Sequence, residues 1–245
     1  MVKVFRTRTT NIDVSLADRV NRANTAKVGL FYSLHVNGSI HATARGFDSH
    51  IYTSPSDASK KAQDIIQKHI APVFLRRGSL NRGKRQNNFF VVRETRMPAV
   101  LTENGFMSNA EDMALWKQAA FVDDLARAHA AAINEIAAVL DIDSIWLDEG
   151  HGGSAPGAVS ADGTREADLV LNLSNQIVKF LAPVEPVLPP EIEQLRKALQ
   201  LSEAQRDTIQ KQLSAANIEN QNMAGILRQV ANLNSQVSAL TSNYK

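Results

Sequence analysis

The chain has 245 residues, of which 44% are hydrophobic and 21% are charged, and its formal net charge at pH 7 is +2. These values predict one or two folded domains, exclude disorder over the whole chain, and give too little positive charge to indicate nucleic acid as a partner. The sequence contains no cysteine, which excludes disulfides, a cysteine nucleophile, iron–sulfur clusters and thiolate metal sites. A metal ion would therefore need histidine, aspartate or glutamate ligands.

The sequence shows no segment directed to a membrane. Residues 1–8 lack the apolar stretch of a signal peptide, and no segment reaches the ~18 apolar residues of a membrane-spanning helix. We therefore expect a protein without a signal peptide and without a membrane span.

Residues 1–182 alternate between strand-like and helix-like segments. Continuous apolar runs predict buried strands, and apolar side chains three and four residues apart predict amphipathic helices. The predicted strands are 2–7, 28–35, 46–53, 89–92, 99–102 and 145–148, and the predicted helices are 15–26, a segment after Pro55, 108–140 with a break near Ala119, and 167–181. This alternation predicts an α/β domain with a mostly parallel open sheet and helices on both faces.

The composition changes after residue 182. Residues 183–190 form a stiff, proline-rich linker, and residues 191–245 are rich in Gln, Asn, Ala, Leu and Ser. Apolar residues in this tail recur at spacings of three and four, which predicts a coiled coil and a homo-oligomer. Asn220 and Asn234 fall at a positions, where asparagine favours parallel dimers. The alternative is one amphipathic helix that folds back on the domain.

Four polar residues lie at positions where an α/β sheet can form a ligand-binding site. His35, Glu103 and His151 each lie at the end of a predicted strand, and Glu166 opens the helix that follows His151. The carboxyl ends of strands form the ligand-binding crevice of open α/β sheets. Two histidines and one glutamate can hold a catalytic zinc ion with one open position, and a further glutamate can serve as general base and acid. Alternatively, Glu166 is a carboxylate favoured by the helix dipole, Glu103 is an ion-pair partner, and the histidines are hydrogen-bonded surface residues.

These residues lie in linked motifs. Residues 148–153 read Asp-Glu-Gly-His-Gly-Gly, residues 33–37 read Ser-Leu-His-Val-Asn, and residues 98–109 read Pro-Ala-Val-Leu-Thr-Glu-Asn-Gly-Phe-Met-Ser-Asn. They match the D-x-G-H-G-G, S-x-H-x-N and P-A-V-L-x-E-x-G-F-x-S-N motifs of the zinc-dependent N-acetylmuramoyl-L-alanine amidases that lyse bacterial cell walls. The chain resembles this family over nearly all of residues 1–182.

The resemblance implies an enzyme that cleaves the amide bond between N-acetylmuramic acid and L-alanine in bacterial peptidoglycan. It implies three protein ligands for Zn²⁺ and one catalytic carboxylate. The implied zinc ligands are His35, His151 and Glu166, and the implied catalytic residue is Glu103. The amide groups of Asn37 and Asn88 and the guanidinium group of Arg93 make these residues candidate substrate contacts.

The order of the motifs departs from the family. The segment equivalent to residues 145–182 comes first in the family, whereas here it follows the other motifs. This order predicts a circular permutation, in which residues 141–144 join the old ends and the new ends lie near Met1 and Pro183. Permutation is tolerated where the old termini lie close together at the surface.

A second departure is Glu149, which stands where proline is common and is expected to add a carboxylate beside the metal.

The favoured function is a phage-type endolysin that stays in the cytoplasm until it is released to act on the cell wall. The alternative is a structural or assembly protein of a virion or envelope, which engages the wall through the amidase-like domain and oligomerises through the coiled coil. A zinc peptidase on a related α/β fold is a third possibility.

The basic residues of segment 76–85 face either wall polyanions or solvent.

Overall fold

The structure is a computed structural model that describes residues 2–181, 205, 208 and 230–236. The chain divides into two units, Met1–Val184 and Glu185–Lys245. In the second unit, residues 205, 208 and 230–236 are helical. The predicted linker at 183–190 and most of the predicted coiled coil at 191–245 lie outside the described residues, so both stay predictions.

Strands and helices alternate through the described part of the first unit. The strands are β1 (Lys3–Arg6), β2 (Leu30–Asn37), β3 (Phe47–Ile51), β4 (Asn81–Gln86), β5 (Ala99–Phe106) and β6 (Ser144–Glu149). The helices are α1 (Leu16–Ala26), α2 (Asp57–Leu75), α3 (Phe90–Glu94), α4 (Ala110–Trp116), α5 (Ala119–Leu140) and α6 (Glu166–Leu181). The predicted break near Ala119 is confirmed, since it separates α4 from α5. No helix among the described residues is both long enough and apolar enough to cross a membrane.

The strands form one sheet in the order β1-β6-β2-β5-β3-β4. Neighbouring strands are parallel except for β3 and β5, which run antiparallel. The prediction of a mostly parallel open sheet is therefore confirmed. Strand β2 lies between β6 and β5, which explains why its sequence is an almost continuous apolar run.

Helices cover both faces of the sheet. Leu30, Tyr32 and Leu34 of β2 belong to the larger apolar core, which also contains residues of α2, α5 and α6. Phe31 belongs to a smaller core, which also contains residues of α1 and α3. This division follows from strand geometry, because successive side chains point to opposite faces of a sheet.

Two elements differ from the sequence prediction. The predicted strand at 89–92 is wrong, because Phe90–Glu94 form helix α3 and bury Val91 and Val92. A short apolar run does not distinguish a buried strand from a buried helix. Strand β4 was missed because Asn81–Gln86 has no apolar side chain and therefore no hydrophobic period. It forms at the edge of the sheet through backbone pairing with β3.

A short turn connects α5 to β6. Asp141 caps α5 in the left-handed region, with φ 52 and ψ 52. Such a cap ends a helix sharply, so residues 141–143 suffice to lead the chain from α5 into β6, between β1 and β2.

Candidate metal and catalytic site

The candidate site lies where three adjacent strands end. His35 of β2 stands in register with Glu103 of the neighbouring strand β5. His151 follows β6 after Gly150, and Glu166 is the first residue of α6. Because the carboxyl ends of parallel strands meet at one edge of a sheet, residues far apart in sequence come together here.

His35, His151 and Glu166 form a compact group of potential metal ligands. One ligand atom from each lies within 4.8 Å of the other two. Glu166 Oε1 lies 2.9 Å from His35 Nδ1, and Glu166 Oε2 lies 3.2 Å from His151 Nε2. The two carboxylate oxygens also accept hydrogen bonds from the backbone amides of Val36 and Ala158. The carboxylate is therefore fixed through both of its oxygens.

The surroundings of Glu166 favour its ionised form. Burial raises the pKa of Glu166, but the hydrogen bonds and charges of His151 and His35 lower it by more, so its pKa lies well below the usual range. The side chain of Glu166 is 4% exposed, whereas those of His35 and His151 are 18% and 34% exposed. A buried anionic oxygen donor beside two accessible imidazoles is a donor set that suits zinc.

Two glycines keep the space around these side chains clear. A Cβ atom at Gly150 would lie 2.4 Å from Cε1 of His35, and one at Gly157 would lie 2.5 Å from Oε2 of Glu166. Real Cβ atoms do not approach other heavy atoms so closely, so any other residue would displace the ligand group. The glycines before and after His151 thus reflect close packing around the site.

Glu103 is a separate buried carboxyl group. Its Oε2 atom is buried and has no hydrogen-bond partner among the described residues. Burial raises the pKa of Glu103 well above its usual value, and the charges of Glu166 and Asp48 raise it further. Asp48 is the register partner of Glu103 on strand β3. A carboxyl group with a raised pKa is suited to exchanging protons near neutral pH.

A cavity of about 650 Å³ opens over the site. His35, Glu103 and His151 line it, together with apolar side chains at the start of α1 and around the start of α3. Leu16 on one side is 56% exposed, and Phe89 on the other is 39% exposed. An apolar rim around a few convergent polar groups is typical of a ligand-binding site.

The three predicted substrate contacts are not among the described residues that line this cavity. Asn88 is exposed, and its Oδ1 atom accepts a hydrogen bond of 2.9 Å from Arg93. Asn37 is half-buried at the end of β2, where its carbonyl oxygen accepts a hydrogen bond from the amide of Met107. A role of these residues in substrate binding stays a prediction.

The expectation that Glu149 adds a carboxylate beside the metal is wrong. Its carboxylate accepts hydrogen bonds from Arg6 and from Ser174 of helix α6. Asp148, one residue earlier, lines the cavity instead. The reason is the alternation of side chains along β6, which sends neighbouring residues to opposite faces.

Four of the five cationic side chains of the basic segment 76–85 form ion pairs within the fold. These pairs give the segment a structural role, and contact with wall polyanions stays a prediction. The pairs are Arg77 with Asp124, Arg82 and Arg85 with Asp48, and Lys84 with Asp64.

Sequence reasoning missed the two buried arginines of the site. Arg8 is 2% exposed and Arg19 is 3% exposed. Both donate hydrogen bonds to backbone carbonyl groups next to or at His151. Arginine is rarely buried, and hydrophobic periodicity does not distinguish a buried guanidinium group from an exposed one.

Comparison with known proteins gives a consistent set of relatives. The chain is 36% identical over 157 residues to an endolysin of Bacillus phage SPP1, in a match that covers 63% of this chain and 54% of the relative. It is 40% identical over 129 residues to the N-acetylmuramoyl-L-alanine amidase CwlM of Bacillus licheniformis, in a match that covers 53% of this chain and 49% of the relative. It is 36% identical over 134 residues to a sporulation-specific N-acetylmuramoyl-L-alanine amidase of Bacillus subtilis (strain 168), in a match that covers 55% of this chain and 50% of the relative. The matches thus span about half the length of these relatives.

A family model gives the assignment. The model described as N-acetylmuramoyl-L-alanine amidase matches this chain in two segments, residues 1–135 and 145–223. The gap between the segments coincides with the end of α5 and the turn into β6. Because the match extends over most of the sequence, the chain belongs to the N-acetylmuramoyl-L-alanine amidase family.

Proposed function

We propose that this chain hydrolyses the amide bond between N-acetylmuramic acid and L-alanine in bacterial peptidoglycan. The observation that carries the proposal is the group of His35, His151 and Glu166 beside a cavity that also exposes Glu103. Metal-assisted hydrolysis of an amide needs these two parts, a metal centre and a carboxyl group that moves protons. The names of the amidase relatives support the choice of substrate.

Zinc is the metal that we expect at this site, held by His35, His151 and Glu166. Three nitrogen and oxygen ligands leave one coordination position open, as in catalytic zinc sites. Bound zinc would supply a Lewis acid that activates water at neutral pH and polarises the scissile carbonyl group.

Glu103 would move the proton during hydrolysis. Its ionised carboxylate accepts a proton from the attacking water, and the resulting carboxylic acid donates that proton to the leaving amino group of L-alanine. The raised pKa of Glu103 suits the second transfer, because the buried carboxyl group holds its proton more readily than an exposed one until the leaving amine takes it.

The variant Glu103→Ala tests this assignment. We expect it to bind zinc normally and to lose activity by a factor on the order of 10² to 10⁴, the usual contribution of a general acid–base group. Activity is measured by mass spectrometry of digested peptidoglycan, which detects peptides with a newly freed L-alanine amino terminus. Glu111→Ala is a matched control, because the side chain of Glu111 is 72% exposed and does not line the cavity. Bound zinc together with full wall-lytic activity in Glu103→Ala would refute the role of Glu103.

A zymogram with purified wall material tests the function as a whole. We expect clearing that a chelator abolishes and that added zinc restores. No clearing under any zinc condition would contradict the proposal and would favour a domain that engages the wall without cleaving it.

We propose further that residues 1–182 are one circularly permuted catalytic domain. Strand β6 is the last strand among the described residues yet lies in the sheet between β1 and β2, and residues 141–143 link it to α5 by a short turn. Val2 and Leu181, at the two ends of the described domain, pack against the same apolar core. A recombinant chain in the order 144–182 followed by 1–140, joined by a flexible linker, is expected to fold and to bind zinc. Failure to fold would contradict the proposal.

We propose that the protein acts on the cell wall, as the name of the endolysin relative suggests, and that it stays in the cytoplasm until it is released. Expression in a bacterial host should therefore cause lysis only after the membrane is permeabilised, and lysis without permeabilisation would contradict this.

The heptad pattern of residues 191–245 supports a homo-oligomer. Analytical ultracentrifugation of the full chain and of residues 1–182 tests it, since only the full chain should associate.

A further inference from the structure

Arg8 connects the backbone on both sides of the proposed zinc site. Its Nη2 atom donates hydrogen bonds to the carbonyl oxygens of Gly150, at 2.9 Å, and Ala167, at 2.7 Å. Gly150 immediately precedes His151, and Ala167 immediately follows Glu166. The Nε and Nη1 atoms of Arg8 donate to two further backbone carbonyls. A single buried guanidinium group therefore joins the chain segments that carry two of the three proposed ligands.

Arg19 of helix α1 holds the same loop from another side. Its Nη2 atom donates to the carbonyl oxygen of His151 at 2.8 Å. Its Nη1 atom donates to the Asp148 carboxylate at 2.8 Å and to the carbonyl oxygen of Glu149. Its Nε atom donates to the carbonyl oxygen of Val14 at 3.0 Å, which fixes the guanidinium group against the start of α1. The segment from Asp148 to His151 is thus bound along its length by one side chain.

The loop after β6 needs such support because its conformation is unusual. The backbone of His151 has φ 59, a conformation that residues other than glycine rarely adopt, and Gly152 has φ 136. A Cβ atom at Gly152 would lie 2.3 Å from the carbonyl oxygen of Ile12 and 3.0 Å from Nε of Arg8. The loop is therefore packed directly against Arg8, whose donors satisfy buried carbonyl groups that regular secondary structure would otherwise satisfy.

We propose that Arg8 and Arg19 are positioning residues of the zinc site, which hold His151 and Glu166 in the geometry that binds the metal. The inference rests on the proposed function in that it takes these two residues as zinc ligands. A guanidinium group has five N–H donors in a rigid planar fork, so it can bind several fixed carbonyl groups at once. The ammonium group of lysine keeps the charge but does not reproduce this geometry.

Measurement of zinc affinity in the full chain tests the inference. Arg8→Lys and Arg19→Lys are each expected to bind zinc about 10- to 100-fold more weakly than the wild type, the usual effect of losing a group that orients a metal ligand. Affinity is measured by competition with a chromophoric chelator, and folding of the metal-free variants by circular dichroism. Ile66→Val is the matched control for loss of stability, because Ile66 is buried in the core on helix α2 and is not one of the cavity-lining residues. It should lower the urea midpoint and leave zinc affinity unchanged.

The outcomes are distinguishable. Folded Arg8→Lys and Arg19→Lys variants with wild-type zinc affinity would overturn the inference, as would a loss of affinity in Ile66→Val equal to theirs. Should Arg8→Lys not fold, Arg19→Lys and Arg19→Gln carry the test, because Arg19 contacts the carbonyl group of His151 itself. The readout needs no substrate, so a wild-type protein that binds zinc but cleaves nothing would refute the proposed activity without affecting this result.

Discussion

His129 is a buried histidine whose protonation should control the stability of the domain in acid. It lies on α5 with no exposed surface, and its Nδ1 and Nε2 atoms lie 2.6 Å from the Tyr32 hydroxyl and 3.0 Å from Asn104 Oδ1. Asn104 Nδ2 donates to the carbonyl oxygen of His35, so Asn104 Oδ1 accepts a hydrogen bond from His129 Nε2–H. His129 Nδ1 then accepts a hydrogen bond from the Tyr32 hydroxyl group. The neutral imidazole therefore has both nitrogens satisfied.

Burial lowers the pKa of His129 from 6.5 to about 3. Below pH 6.5 the unfolded chain takes up a proton that the folded protein does not, so the free energy of unfolding falls as the pH decreases from 6.5 towards 3. Well above pH 6.5 the residue is neutral in both states and contributes no pH dependence. The slope approaches about 1.4 kcal/mol per pH unit once the pH is well below 6.5, which amounts to about 2 kcal/mol between pH 7.5 and 5.0.

Urea unfolding of metal-free protein at pH 7.5, 6.5 and 5.0 measures this effect. His129→Gln keeps a donor for Asn104 but does not titrate, so we expect it to be less stable than the wild type at pH 7.5. The difference should shrink by about 2 kcal/mol at pH 5.0, because only the wild type loses the His129 contribution. His41→Gln, at an exposed position, should follow the wild type at every pH. Parallel stability curves for the wild type and His129→Gln between pH 6.5 and 5.0 would refute the reasoning.

Two further predictions concern the cavity. Gly150→Ala should bind zinc much more weakly than the wild type, because the added Cβ atom would lie 2.4–2.7 Å from ring atoms of His35. Competition with a chelator measures the affinity. Unchanged affinity in a folded variant would contradict the close packing of Gly150 against His35. Phe89→Ser should raise KM for soluble muropeptides about fivefold with little change in kcat, because removing the ring weakens apolar binding of substrate and transition state equally, by about 1 kcal/mol. Ile40→Ser, at a position that is 95% exposed and does not line the cavity, should leave KM unchanged, and equal effects of the two substitutions would argue against a role of the rim.

Much of the fold could be predicted because local patterns agree with the tertiary environment. Strand β2 is buried on both faces, so most of its sequence is apolar, and polar His35 near its carboxyl end marks the edge where ligands bind. Strand β4 could not be predicted, because an edge strand needs only backbone pairing and this one has a polar sequence. Helix α3 was misread for the opposite reason, since its short apolar run fits a strand equally well.

The sequence by itself determined which atoms are available to bind a metal and roughly where they lie. Without cysteine, the ligands had to be nitrogen and oxygen donors, and the glycines around His151 indicated a closely packed loop. The tertiary structure decided which carboxylates face the cavity, since it turns Glu149 away from the metal group. It also decided what supports the site, because Arg8 and Arg19 bind a loop that is more than 120 residues away in sequence. Such contacts depend on how the sheet brings distant segments together, and hydrophobic periodicity within one element carries no information about them.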